Sequence, residues 1–235
     1  MVDVSVHGLR RQRAPRGSGD RLRHEILDAA TELLLETGQA RAVSIRSVAQ
    51  RVGVTSPSIY LHFQDKNALL DAVCARYLAR LDEAMERAAV GRTGTVEVLR
   101  AQGMAYVRFA LQTPELYRLA TMGEWRSGSN VDMALDSSAF RHMRASVQSL
   151  MEEGVYRTDD PTMIALELWT AAHGVAAILI AKPHLPFGDV DAFAERVLGA
   201  VLCGHMVAGL VGAEATSQRL VEWVLEQRPA QEAQA

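Results

Sequence analysis

The chain has 235 residues, 49% hydrophobic and 23% charged, with a formal net charge of -3. That balance allows a full hydrophobic core and excludes collagenous, low-complexity and wholly disordered classes. Two cysteines, Cys74 and Cys203, have neither metal-ligand spacing nor a disulfide framework, and read as reduced, buried thiols of a cytosolic protein.

Taken in chain order, residues 1–19 are rich in Arg, Pro, Gly and Ser and read as a disordered basic arm. They hold no apolar run of signal-peptide length, so export is not expected. Residues 1–66 carry 10 Lys+Arg against 7 Asp+Glu, and the remaining residues carry 15 against 21. A basic end on an acidic body points to an anionic partner at that end. The excess is concentrated in Arg10, Arg11, Arg13, Arg16, Arg21 and Arg23, which could track phosphates or enter a minor groove.

A first helix follows through Ile26, Leu27, Ala29, Ala30, Leu33 and Leu34 to the stop at Gly38. Residues 44–63, SIRSVAQRVGVTSPSIYLHF, then read as two short helices and a tight turn. Ile45, Val48, Ala49 and Val52 form an i, i+3, i+4, i+7 stripe. Ser44 is placed to cap that helix and Gly53 to end it in a left-handed conformation. Thr55 or Ser56 can cap the second helix, with Pro57 in its first turn. That helix should bury Ile59 and Phe63 and leave Ser56, Ser58, Tyr60 and His62 outside, the form of a helix-turn-helix whose second helix enters a major groove. Asp65 can cap a fourth helix running to about Ala89. Further helices are predicted at about 96–112, 114–122, 132–153, 161–181, 189–212 and 217–227, with a loop at 126–130 and a polar tail from Pro229. No apolar stretch of about 18 residues free of polar groups is evident, which argues against a membrane span. No strand alternation or internal repeat is present, and the expected fold is all-α.

The run GVTSPSIYLHFQDKNALL resembles the end of the DNA-binding domain of TetR-family transcriptional regulators, through Gly53, Val54, Thr55, Tyr60, Phe63, Asp65, Lys66, Ala68, Leu69 and Leu70. Asn67 departs from the family's usual glutamate. The resemblance covers residues of about 20–70. It implies a helix-turn-helix domain at 20–66, a ligand-binding and dimerisation domain at 67–228 and a tail at 229–235. The candidate DNA contacts are Ser44, Arg46, Thr55, Ser56, Ser58, Tyr60, His62 and Lys66. A tyrosine hydroxyl can donate to phosphate while its ring packs on a thymine methyl, and Ser and Thr can bond phosphates or base edges. Lys66 opens a helix whose N-terminal amides also favour phosphate.

In the body, LWTAAHG at 168–174 resembles a Trp-x3-His-Gly signature of one subgroup of that family, and TPELYRLATMGEW at 113–125 the segment that precedes it. Trp169 and His173 share a helix face. Tyr106, Phe109, Met122, Trp125 and Met143 could complete a largely apolar pocket, although aromatics and Met at helical spacing are more often plain core. The helices at 161–181 and 189–212 are rich in small residues, among them Gly174, Ala200 and Gly204, and the resemblance implies that two copies pack them as a four-helix interface. No GxSxG, Walker loop, HExxH or CxxC is present, so no catalytic, metal or cofactor site is expected. Glu152, Glu153, Asp159 and Asp160 read as a solvated helix end. The expected function is a homodimeric regulator, most simply a repressor released from operator DNA by a small, largely apolar effector. The alternative is a DNA-organising protein with no effector.

Overall fold

A computed structural model describes residues 18–122, 138–212 and 215–227. The described residues contain ten α-helices and no strand. They are α1 (Ser18–Thr37), α2 (Ile45–Val52), α3 (Ser56–Tyr60), α4 (Lys66–Ala89), α5 (Thr95–Gln112), α6 (Pro114–Met122), α7 (Ser138–Glu152), α8 (Pro161–Ala181), α9 (Val190–Val211) and α10 (Ser217–Glu226). A 3-10 turn, Ala40–Ala42, which the apolar periodicity does not signal, joins α1 to α2. The chain divides into two compact units.

The first unit comprises residues 1–79 and 113–132, so it takes in α1, α2, α3, α6 and α4 as far as Ala79. Its core is built from Ile26, Ala30, Leu34, Val43, Val48, Ile59, Phe63, Leu69, Val73 and Tyr117. The α2 entry is closed by a reciprocal cap. Ser44 Oγ accepts from Ser47 N at 3.0 Å while Ser44 N donates to Ser47 Oγ at 2.9 Å. Gly53, at φ +77°, ends the helix in the left-handed conformation that glycine adopts without strain. Two arginines tie the neighbouring helices to α1. Arg51 on α2 reaches Glu36 at 2.6 Å and Glu32 at 3.2 Å. Arg76 on α4 meets Asp28 Oδ1 at 2.6 Å, the Leu27 carbonyl at 2.9 Å and Thr31 Oγ1 at 2.6 Å. The packing groups α6, and α4 to Ala79, with the first unit.

The second unit comprises residues 80–112 and 133–235. Here α8 packs against α5, α7 and α9, and α5 also packs against α7 and α9. Leu99, Phe140, Val147, Leu150, Tyr156, Ile164, Ala165, Leu168 and Leu202 form a continuous buried cluster. Asp160 caps α8 by accepting from Thr162 N at 2.8 Å, and Asp189 caps α9 by accepting from Ala192 N at 2.7 Å. Glu152, Glu153, Asp159 and Asp160 are exposed around that helix end, as expected. Two helices are in fact long and apolar enough to cross a membrane by length and composition alone, α8 at mean hydropathy 1.7 and α9 at 1.4. The scattered Glu167, Thr170 and His173 break the run in the sequence without making α8 polar on average. In the fold α8 is a core helix of its unit, while α9 leaves most of its surface uncovered in the protomer, with 17% of its apolar window buried. Cys203 lies on that exposed surface, which corrects its assignment as a buried thiol; Cys74 is buried as expected.

Candidate nucleic-acid interface and effector site

The nucleic-acid candidates all fall in the first unit. Phe63 and Ile59 are buried, which fixes the face that α3 turns inward. Tyr60 and Leu61 are left 53% and 84% exposed, whereas Ser56, Ser58 and His62 are half-buried. Leu61, which the sequence pattern does not single out, is thus more exposed than Tyr60. The helical part of α3 is only five residues long, and its cap residue Thr55 makes no side-chain bond to the helix amides. Thr55 Oγ1 lies instead 3.0 Å from Ser58 Oγ, so one of these hydroxyls presents its proton to the other. Lys66, the first residue of α4, brings Nζ within 3.5 Å of the Arg41 carbonyl. Arg41 on the 3-10 turn is itself exposed, its Nε donating to Gln39 Oε1 at 2.6 Å. Arg46 is exposed, with no ion pair to another described residue.

The cations of the unit therefore separate into two groups. Arg51 and Arg76 are engaged with carboxylates; Arg41, Arg46 and Lys66 are not. Arg41 was missed because only the fold carries the 3-10 turn to the start of α4. Arg21 and Arg23 move the other way. Both lie within α1, where Arg21 Nε pairs with Glu25 at 3.0 Å and the Arg23 guanidinium sits 4.5 Å above the Phe63 ring. They are helix and packing residues, not part of a loose arm, and α1 already begins at Ser18. Arg10, Arg11, Arg13 and Arg16 lie outside the described residues.

The effector candidates divide between the units. In the second unit, Tyr106 Oη lies 3.4 Å from His173 Nδ1, and the rings of Trp169 and His173 stand 5.2 Å apart. Burial holds the His173 imidazole below its ordinary pKa, favouring the neutral ring. Phe109 is half-buried one turn beyond Tyr106. Gln102, one turn before Tyr106, is 7% exposed and its Oε1 is buried without a hydrogen-bond partner. No sequence pattern marks that orphaned acceptor. Met143 packs against the Leu99–Phe140 cluster. Met122 belongs to the first unit and is exposed; Trp125 lies outside the described residues.

Residues 26–73 match the family model of bacterial regulatory proteins of the tetR family, and residues 99–201 match the tetracyclin repressor-like C-terminal domain. The chain is 45% identical over 58 residues to the class D tetracycline repressor protein of Escherichia coli, spanning 25% of this chain and 26% of that protein. It is 33% identical over 110 residues to the HTH-type transcriptional activator FasR of Mycolicibacterium smegmatis, spanning 47% of this chain and 48% of FasR. The chain thus spans between a quarter and a half of the length of these relatives. Among solved structures, a protein of unknown function from Rhodococcus sp. RHA1 superimposes with a TM-score of 0.70 at 28% identity, over 83% of this chain and all of that one. PfmR, a TetR-family transcriptional regulator of Thermus thermophilus, shares the fold with a TM-score of 0.56 at 23% identity, over 76% of this chain and 97% of that one.

Proposed function

The chain belongs to the tetR family of bacterial regulatory proteins, and from that premise we propose that it is a cytoplasmic, homodimeric DNA-binding repressor released from a palindromic operator by a small, largely apolar effector. The observation that carries the DNA reading is the coincidence of an outward Tyr60 and Leu61 with the cations Arg41, Arg46 and Lys66 on one capped helix-turn-helix unit. Tyr60 and the Thr55–Ser58 hydroxyl pair would meet base edges and thymine methyls. Ser44, Ser56 and His62 would line the flanks, and the three cations would hold phosphates.

Dimerisation is supported by the uncovered apolar surface of α9. Ala200, Cys203, Gly204 and Leu210 are exposed there, and Gly174 and Ile178 are exposed on α8. A second copy laid on these faces would remove that surface from water. Effector control is supported by the Tyr106–His173 pair with the Trp169 ring beside it, and by the buried Gln102 one turn from Tyr106 on α5. Met143, in the same unit, is the apolar residue proposed to complete that site. An effector releases DNA only if it binds the DNA-incompetent arrangement better, and the same factor must then weaken effector binding when operator is present.

The test is fluorescence anisotropy on a duplex selected by the protein. Affinity should fall steeply with salt as phosphate counterions are released. Tyr60→Ala and Lys66→Ala should each weaken binding; full affinity in both variants would reject the assignment. An effector found by thermal-shift screening should weaken operator binding, and lack of any such compound would favour the effector-free, DNA-organising alternative.

A further inference from the structure

Away from the two sites above, three potential metal ligands meet in the second unit. Asp82 and Glu86 stand one turn apart on α4, and His142 lies in the first turns of α7. One donor atom from each lies within 4.8 Å of the other two. The His142 Nδ1 to Glu86 Oε1 separation is 3.6 Å. Two ligands of a tetrahedral ion with bonds of about 2.1 Å stand about 3.4 Å apart, so this pair is already near ligating distance. Acidic clusters are common on helix surfaces and mean little alone. Here a second observation stands beside the spacing. Asp82 is only 9% exposed, and its Oδ1 is buried with no hydrogen-bond partner. Burial raises the carboxyl's pKa, and Glu86 and Glu83 add to the repulsion while His142 and Arg141 oppose it. A buried carboxylate with an orphaned oxygen, facing a second carboxylate and an imidazole, is a donor set short of a cation.

We propose that Asp82, Glu86 and His142 bind a divalent first-row transition ion, with Zn2+ the best match to one imidazole and two carboxylates. An imidazole nitrogen disfavours Mg2+ and Ca2+, which take all-oxygen sets, and two carboxylates balance the charge of the ion. Glu86 and His142 are about half exposed, so the ion has an entry path and a remaining position for water. The bound ion would cross-link α4 to α7 within the unit.

The test is a Zn2+ titration of chelator-treated, untagged full-length protein, followed by calorimetry and melting temperature. The wild type should bind one ion per protomer with a rise in melting temperature. His142→Ala, at an exposed position where folding should survive, should weaken binding by at least about tenfold, as should Glu86→Gln. Cys203→Ser tests the exposed thiol as a competing ligand and should leave binding intact. Co2+ should give visible absorption bands that vanish in folded His142→Ala. A wild type with no stoichiometric ion, a smaller loss in His142→Ala, or binding lost in Cys203→Ser would each overturn the assignment.

Discussion

The two halves of this chain present their chemistry differently. The stretch matching the regulatory-protein model, residues 26–73, holds the short capped helix α2 and the five-residue α3, whose buried and outward sides at Ile59 and Tyr60 follow from local pattern. The stretch at 99–201 holds long helices whose polar residues gain meaning only when folded together. A physical reason lies in the partners each half would meet. B-DNA offers every regulator the same groove width and phosphate spacing, so a docking unit is tightly constrained. An effector pocket needs only a few polar groups in an apolar wall, and many sequences supply that. Local order in the first region and tertiary order in the second should therefore respond differently to substitution.

The largest expected difference concerns assembly. Gly204 has open space where a Cβ would stand, so Gly204→Arg should leave the protomer folded. It should nonetheless break the pairing of α9 faces and lower operator affinity on the order of 100- to 10,000-fold, because two linked half-sites become one. Sedimentation alongside anisotropy checks both parts. Next comes the core of the docking unit. Ile59 is fully buried, and Ile59→Ala should cost about 2–5 kcal/mol of stability by the cavity it leaves, measured by denaturant unfolding.

Smaller effects separate the two regions more sharply. Tyr60→Ala and Lys66→Ala should each weaken operator binding by about 1–3 kcal/mol while leaving effector affinity unchanged. His173→Ala should do the reverse: DNA affinity is kept, and the effector's roughly 5- to 150-fold weakening of DNA binding is lost. Titrating effector into each variant with and without operator resolves the two patterns. The smallest effect is a pH dependence. Burial lowers the pKa of His173, so below about pH 6.5 the unfolded chain takes up a proton more readily than the native state does. Its stabilising contribution is present above that pH and declines as pH falls. Melting curves between pH 5 and 7 should be flatter for His173→Gln than for wild type.

The same contrast explains what could be read from the sequence. The helix ends set by Ser44, Gly53 and Asp65 were legible because capping and backbone conformation act over a few residues. The outward direction of Tyr60 followed from the buried positions of Ile59 and Phe63. Arg41 was invisible because only the fold sets its carbonyl beside Lys66 Nζ. Arg23 looked like a tail cation until Phe63 supplied its ring. Gln102 resembled an ordinary helix residue, and its unpartnered oxygen is a property of packing alone. Asp82 and His142 lie too far apart in the chain for any spacing motif to join them.

The central claim, a two-fold dimer reading DNA through α3, is tested most directly by hydroxyl-radical footprinting on a selected duplex. Two protected half-sites should appear, related by a two-fold axis and centred one or more helical turns apart, and both should fade together in Gly204→Arg. A single protected stretch without two-fold symmetry, or a footprint unchanged in that variant, would contradict it.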